Sequence, residues 1–260
     1  MSAKRILVLW ATALVIMVAC KRQPTDINLE QKDNPVAAQI ITPGMSSVGV
    51  IRDGQIFVYY LNEKHVWTLD QVSQFQIPSK NEGLLALGMG TIATLHKDKL
   101  YFYYMNASHQ WDQDYELTMP LPQGYTRISA MKMPWQHGAI AIEDENRVVK
   151  FYYLDEDKRW QVDETANFVL PEGIDNYIMM GAMDIAIISD NKVGIYQLDY
   201  NGQWTFRDDM VLSLPEKTQA VLPFEPGVIA VLADNRLMFF EADSEEGYWV
   251  IDDSMTFPIP

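Results

Sequence analysis

The chain has 260 residues, about half of them apolar and 12% aromatic, enough for a large core. Its formal charge of −15 at pH 7 repels phosphate backbones, which makes nucleic acid and anionic membrane surfaces poor partners. One cysteine leaves no disulfide framework and no cysteine metal site, and there is no Gly-rich phosphate loop, serine elbow or His-Glu-x-x-His pair.

The N-terminus reads first. Met1 to Arg5 is basic, and Ile6 to Val18 is an apolar run too short for a spanning helix but suited to a signal-peptide core. It ends in Met17-Val18-Ala19-Cys20. Cys20 after Ala19, with an apolar residue three positions before it, resembles the lipobox of bacterial lipoproteins. That resemblance implies that residues 1–19 are a signal peptide and that Cys20 is acylated and becomes the mature first residue. Met17 stands where the family usually has leucine. Loss of Lys4 and Arg5 with the leader leaves 18 basic against 35 acidic residues. Residues 20–33 are polar, lack aromatics and carry Pro24, the composition of a flexible tether. Lys21 after the cysteine resembles outer-membrane sorting, which places the protein in the bacterial cell envelope, lipid-anchored.

From residue 34 the chain repeats. Trp67, Trp111, Trp160, Trp204 and Trp249 each precede a proline by eleven residues: Pro78, Pro122, Pro171, Pro215 and Pro260. Cutting after each proline gives units 34–78, 79–122, 123–171, 172–215 and 216–260. Each unit predicts four strands: a short apolar one, a second with a small residue at one register (Gly49, Ala93, Ala141, Ala186, Ala230), an aromatic third and a fourth running from tryptophan towards proline. Asp, Asn and Gly between the second and third strands suit tight hairpins. Four antiparallel strands at about 45 residues per repeat is the spacing of β-propeller blades. The expected fold is all-β, a five-bladed β-propeller. In unit count and length it is similar to the tachylectin-type lectins, a likeness of architecture that carries over no sugar-contacting residue. WD40 and sialidase motifs are absent.

The repeated residues have structural readings beside functional ones. The tryptophans are expected to pack between blades rather than to form sugar platforms. The aspartates at Trp+3 (Asp70, Asp114, Asp163 and Asp252, with Arg207-Asp208 breaking the pattern) are expected to anchor turns rather than bind metal. His65 and His109, two before their tryptophans, lack a third ligand. The first strands, expected to line the axis, are nearly free of acids, which argues against a glycosidase. No cofactor, metal or catalytic residue is expected, and the chain reads as a non-enzyme.

Asymmetry supplies the functional candidates. The connection between the first and second strands is longest in the third unit, at Met133-Pro134-Trp135-Gln136-His137-Gly138. The fifth unit has Pro223-Phe224-Glu225-Pro226 there, and the fourth has Met179-Met180-Gly181-Ala182-Met183. These connections are expected to make one face apolar while the opposite face carries acidic turns. Trp135, His137 and Phe224 are the expected partner contacts; the structural alternative is that they plug the channel end. The expected function is a protein-interaction scaffold, with a glycan-binding lectin-like module as the alternative.

Overall fold

The computed structural model describes residues 40–260 apart from 45, 89, 133–138, 175, 182, 244 and 245. The chain folds as five antiparallel sheets and, among the described residues, no helix. Blade one contains β1 (Ile40–Ile41), β2 (Ser47–Arg52), β3 (Gln55–Leu61) and an outer strand split into β4 (Trp67–Leu69) and β5 (Phe75–Gln76). Blade two is β6 (Gly83–Gly88), β7 (Thr91–His96), β8 (Lys99–Met105) and β9 (Trp111–Pro120). Blade three is β10 (Tyr125–Met131), β11 (Ala139–Asp144), β12 (Val148–Leu154) and β13 (Trp160–Val169). Blade four is β14 (Asn176–Met179), β15 (Asp184–Ser189), β16 (Lys192–Leu198) and β17 (Trp204–Ser213). Blade five is β18 (Thr218–Glu225), β19 (Val228–Ala233), β20 (Arg236–Asp243) and β21 (Tyr248–Pro258). Strands pair with their sequence neighbours, except that both halves of the split outer strand of blade one, β4 and β5, pair with β3, so the architecture is a five-bladed β-propeller of simple meanders.

Turn chemistry explains the hairpins. Asp53-Gly54, Lys97-Asp98, Asp190-Asn191 and Asp234-Asn235 have positive φ at both positions, the geometry that matches the twist of the flanking strands. Blade three uses a three-residue loop with Arg147 left-handed, and Asp144 Oδ1 accepts from Asn146 N and Val148 N. The proline at Trp+11 lies two residues beyond its strand. The residue before it (Ile77, Leu121, Leu170, Leu214 or Ile259) donates to a carbonyl of the second hairpin's turn at 2.9–3.0 Å. Proline then ends the pairing because it has no N–H to offer.

Five apolar clusters fill the five gaps between blades. Along β3, Ile56, Val58 and Tyr60 pack towards blade two, while Tyr59 packs towards blade five. β3 carries no charge, in keeping with the cover on both of its faces. Ala93, Ala141, Ala186 and Ala230 are fully buried. At the matching Gly49, an added Cβ would sit 2.7 Å from Ile41 Cγ1 and 2.8 Å from Ile56 Cγ2, so no side chain fits.

Among the described residues no sheet borrows a strand from the far terminus. The ring closes by side-chain packing and a few hydrogen bonds across the seam. The gap between the last blade and the first holds Phe224, Phe239, Phe257, Leu222, Ile40 and Val48, with Tyr59 and Trp67 against them. Phe224 and Phe239 lie 4.5 Å apart between centroids, and Trp67 stacks on Phe239 at 5.8 Å. Thr42 Oγ1 donates to Pro223 O, and Ser46 N to Glu225 Oε1 at 2.7 Å.

Candidate functional site

The tryptophan register belongs to the ring. Each indole packs on the preceding blade, and four donate Nε1–H to the carbonyl of that blade's Trp+6 residue. Trp67 bonds Met255 O at 2.8 Å, Trp111 Ser73 O at 3.0 Å, Trp204 Ala166 O at 3.0 Å and Trp249 Met210 O at 3.2 Å. Trp160 packs in the same way, but its buried Nε1 has no partner among the described residues.

The Trp+3 aspartates anchor the bulge of the outer strand. Asp70, Asp114, Asp163 and Asp252 each accept the N–H two residues on, at 2.8–3.0 Å. The residue at Trp−2 of the next blade reaches this turn. His109 Nδ1 lies 2.6 Å from Asp70 Oδ2, Lys158 Nζ 3.8 Å from Asp114 Oδ2, and His65 Nδ1 3.1 Å from Ser254 Oγ beside Asp252. The two histidines are therefore inter-blade contacts. A further register was not singled out from the sequence. Asn62, Asn106, Asp155 and Asp199, each five before its tryptophan, accept from the N–H groups two and four residues on and fold the outer hairpin. An Asn/Asp at constant distance from tryptophan was the available signal.

Burial pushes the Asp70 carboxyl up. Hydrogen bonds from Ser73 and His109 and from the N–H groups of Val72 and Ser73 outweigh that and bring it to about 2. Because the folded value lies below the unfolded one, Asp70 contributes stability above pH ~4 that is lost as pH falls towards about 2. Urea midpoints of wild type and Asp70→Asn at pH 5 and pH 2.5 test this. The variant should lose less stability across the interval, and an equal loss would refute the assignment.

The expected apolar face is corrected in part. Antiparallel order puts the first connections and the outer hairpins at the same end of the ring, and the hairpins bring exposed Glu63, Glu156, Asp157 and Glu246 to it. Met179, Met180 and Phe224 are fully buried. Phe224 is a seam residue between blades five and one, not a surface contact, because its ring is enclosed by Phe239 and the aliphatic side chains of the two inner strands. Met183 is exposed. Trp135 and His137 lie outside the described residues.

Two cavities break the fivefold symmetry. One, of about 80 Å³, lies between blades four and five. Three departures from the repeat converge on it: Asp184, Gln197 and Arg207. Gln197 Nε2 donates to Asp184 Oδ1 at 3.2 Å, and Arg207 Nη1 to Gln197 Oε1 at 3.0 Å. Burial pushes Asp184 up, against the pull of Gln197 and Arg207. Arg207 is shared with Asp209, to which its Nε and Nη2 donate at 2.9 and 2.7 Å, so the half-buried Asp184 reaches that guanidinium only through the Gln197 amide.

The other cavity, of about 50 Å³, lies on the axis and is lined by the first strands of all five blades. Its wall contains no carboxylate but includes Arg127 and Lys132, 8% and 2% exposed. Lys132 Nζ donates to Thr42 O and to Ala86 O at 2.5 Å. Arg127 Nη2 donates to Tyr177 O at 2.8 Å, with the guanidinium 4.3 Å over the Tyr177 ring. Burial draws Lys132 down to about 7, with the charge of Glu225 pulling the other way. The first strand of the third unit, RISAMK, carries both cations among apolar residues.

No protein-family model matches the chain, and no curated protein matches it. Among solved structures, a 6-phosphogluconolactonase-like protein from Bacteroides fragilis NCTC 9343 is 11% identical, over 85% of this chain and 69% of that one, with a TM-score of 0.41. Hsv2p of Kluyveromyces lactis is 7% identical, over 85% and 99%, at 0.46. A functionally unknown protein from Desulfotomaculum acetoxidans DSM 771 is 14% identical, over 82% and 67%, at 0.42. At these identities and scores the likenesses carry nothing about function.

Proposed function

We propose that the chain is a lipid-anchored propeller of the bacterial cell envelope that binds a protein partner and does not transform it. The anchor is Cys20, and the partner meets the ring end that carries the first connections, with Trp135 and His137 as its contacts. The observation that carries the reading is the axis. A propeller hydrolase working through paired acids places them there, whereas the described axial wall holds two cations and no carboxylate. A lectin reading needs equal pockets at five registers. The five tryptophans that would floor such pockets are packed into blade gaps instead, four of them with their N–H groups committed.

One experiment covers anchor and partner. Wild type, Cys20→Ser and Trp135→Ala are expressed in a bacterial host, fractionated and used for pull-down from envelope extract, with a melting curve for each. Cys20→Ser should leave the membrane fraction. Trp135→Ala should melt as wild type and lose its partner, since interface energy concentrates in few residues and truncation of such a Trp costs about 2 kcal/mol or more. Loss of stability with retention of the partner would make Trp135 a structural residue. Capture of glycan alone would favour the lectin.

A further inference from the structure

We propose that the axial cavity is a binding site for a short aliphatic carboxylate, held by Lys132, Arg127 and the Tyr177 hydroxyl. The proposal does not use the partner contacts, and its test reads small-molecule binding, so failure of either reading leaves the other standing.

Lys132 is 2% exposed and Tyr177 wholly buried. A cation taken out of water is stable only when paired and fully hydrogen-bonded. Lys132 carries three donors, and among the described residues two of them meet carbonyls, those of Thr42 and Ala86. Its nearest acid, Glu225, is outside the cavity wall, and its Oε1 already accepts from Ser46 N at 2.7 Å and Ser46 Oγ at 3.2 Å. Arg127, on the same strand-and-connection segment, lines the same space. Tyr177 lines the same space, and its buried hydroxyl lies near Ser129 but meets no partner in hydrogen-bond geometry among the described residues. A buried hydroxyl without a partner is unusual and calls for one. An ammonium, a guanidinium and a phenol thus border one small space that no carboxylate of the wall enters.

The occupant's chemistry follows from both halves of the lining. An oxyanion accepts from all three donors. Ile40, Leu85, Met179 and Leu222 form the apolar remainder. A phosphate would turn polar oxygens against those side chains, and chloride would leave them unfilled. A carboxylate with a short alkyl chain satisfies both, with its charged end on Lys132 and Arg127. About 50 Å³ is room for a few heavy atoms beyond a single water. Arg127 and Tyr177 line the same cavity as Lys132, the charge of Glu225 acts on it, and the carbonyls of Thr42 and Ala86 accept from it. Burial holds Tyr177 well above its ordinary value, so it stays a donor through neutral pH. Lys132 is protonated below about 7, so affinity should fall as pH rises through that value.

The test titrates the full-length mature protein in detergent with sodium butyrate, sodium phosphate and sodium chloride at matched ionic strength, by calorimetry and melting temperature at pH 6 and pH 8.5. Butyrate should bind saturably, raise the melting temperature and bind more weakly at the higher pH. Tyr177→Phe removes only the unpartnered hydroxyl. It should fold as well as wild type and bind butyrate about fivefold more weakly, the loss of one neutral hydrogen bond. Lys132→Met should weaken binding about tenfold or more, the loss of a charge-assisted one. No saturable butyrate binding would overturn the proposal. So would an equal response to phosphate or chloride, or unchanged butyrate affinity in Tyr177→Phe.

Discussion

Phe224→Ala should lower the free energy of unfolding by about 4 kcal/mol, as expected for a fully buried aromatic cut back to a methyl group. The ring is 0% exposed, 4.5 Å from Phe239 between centroids, in the gap that joins the last blade to the first. Among the described residues no strand crosses that gap, so beyond a few hydrogen bonds the seam depends on area removed from water and on contacts between close-packed atoms. Truncation leaves a cavity that two rigid sheets collapse into only in part. Urea unfolding of the variant gives the number. Met183→Ala, at an exposed position on the same ring end, is the control and should change stability by less than about 0.5 kcal/mol. A Phe224→Ala protein that unfolds at the wild-type midpoint would mean that the seam is held elsewhere.

Trp160→Ala should cost about 3 kcal/mol, the lower end for a large aromatic, because part of the indole is exposed. Its ring stacks on Phe102 of blade two at 5.3 Å, so the loss is of packing between blades two and three. Replacement by phenylalanine separates packing from hydrogen bonding. Trp204→Phe removes the donor to Ala166 O and should cost about 1 kcal/mol more than Trp160→Phe, whose Nε1 has no acceptor to lose. Equal costs for the two would show that the indole N–H contributes nothing to blade docking. A stable Trp160→Ala that had lost ligand binding would restore the sugar-platform reading.

Much of the fold was legible because a propeller writes the same physical requirement five times. A strand covered on both faces must be mostly apolar, a two-residue hairpin of this twist demands positive φ, and an outer strand must stop. Tyr59, Asp53-Gly54 and Pro78 record those three demands in blade one, and their counterparts record them again. Trp67 was legible as an inter-blade residue for the same reason. Phe224 was misread because its position in a lengthened connection looked like a loop tip. Its strand in fact extends through Glu225, and the ring turns back into the seam.

The sequence by itself determined the number of blades, the order of strands and the residues that dock each blade on the last, since all of these are local patterns repeated at a constant period. Only the tertiary structure decided how the ring closes and what its axis contains. Closure joins residues as far apart as Thr42 and Pro223, and no local pattern encodes that meeting. The axial site draws Arg127 and Lys132 from one blade, Tyr177 from the next, and its walls from all five. Each of these side chains is unremarkable in its own strand. Their chemistry arises when the five inner strands converge and exclude the water that would have solvated the two charges.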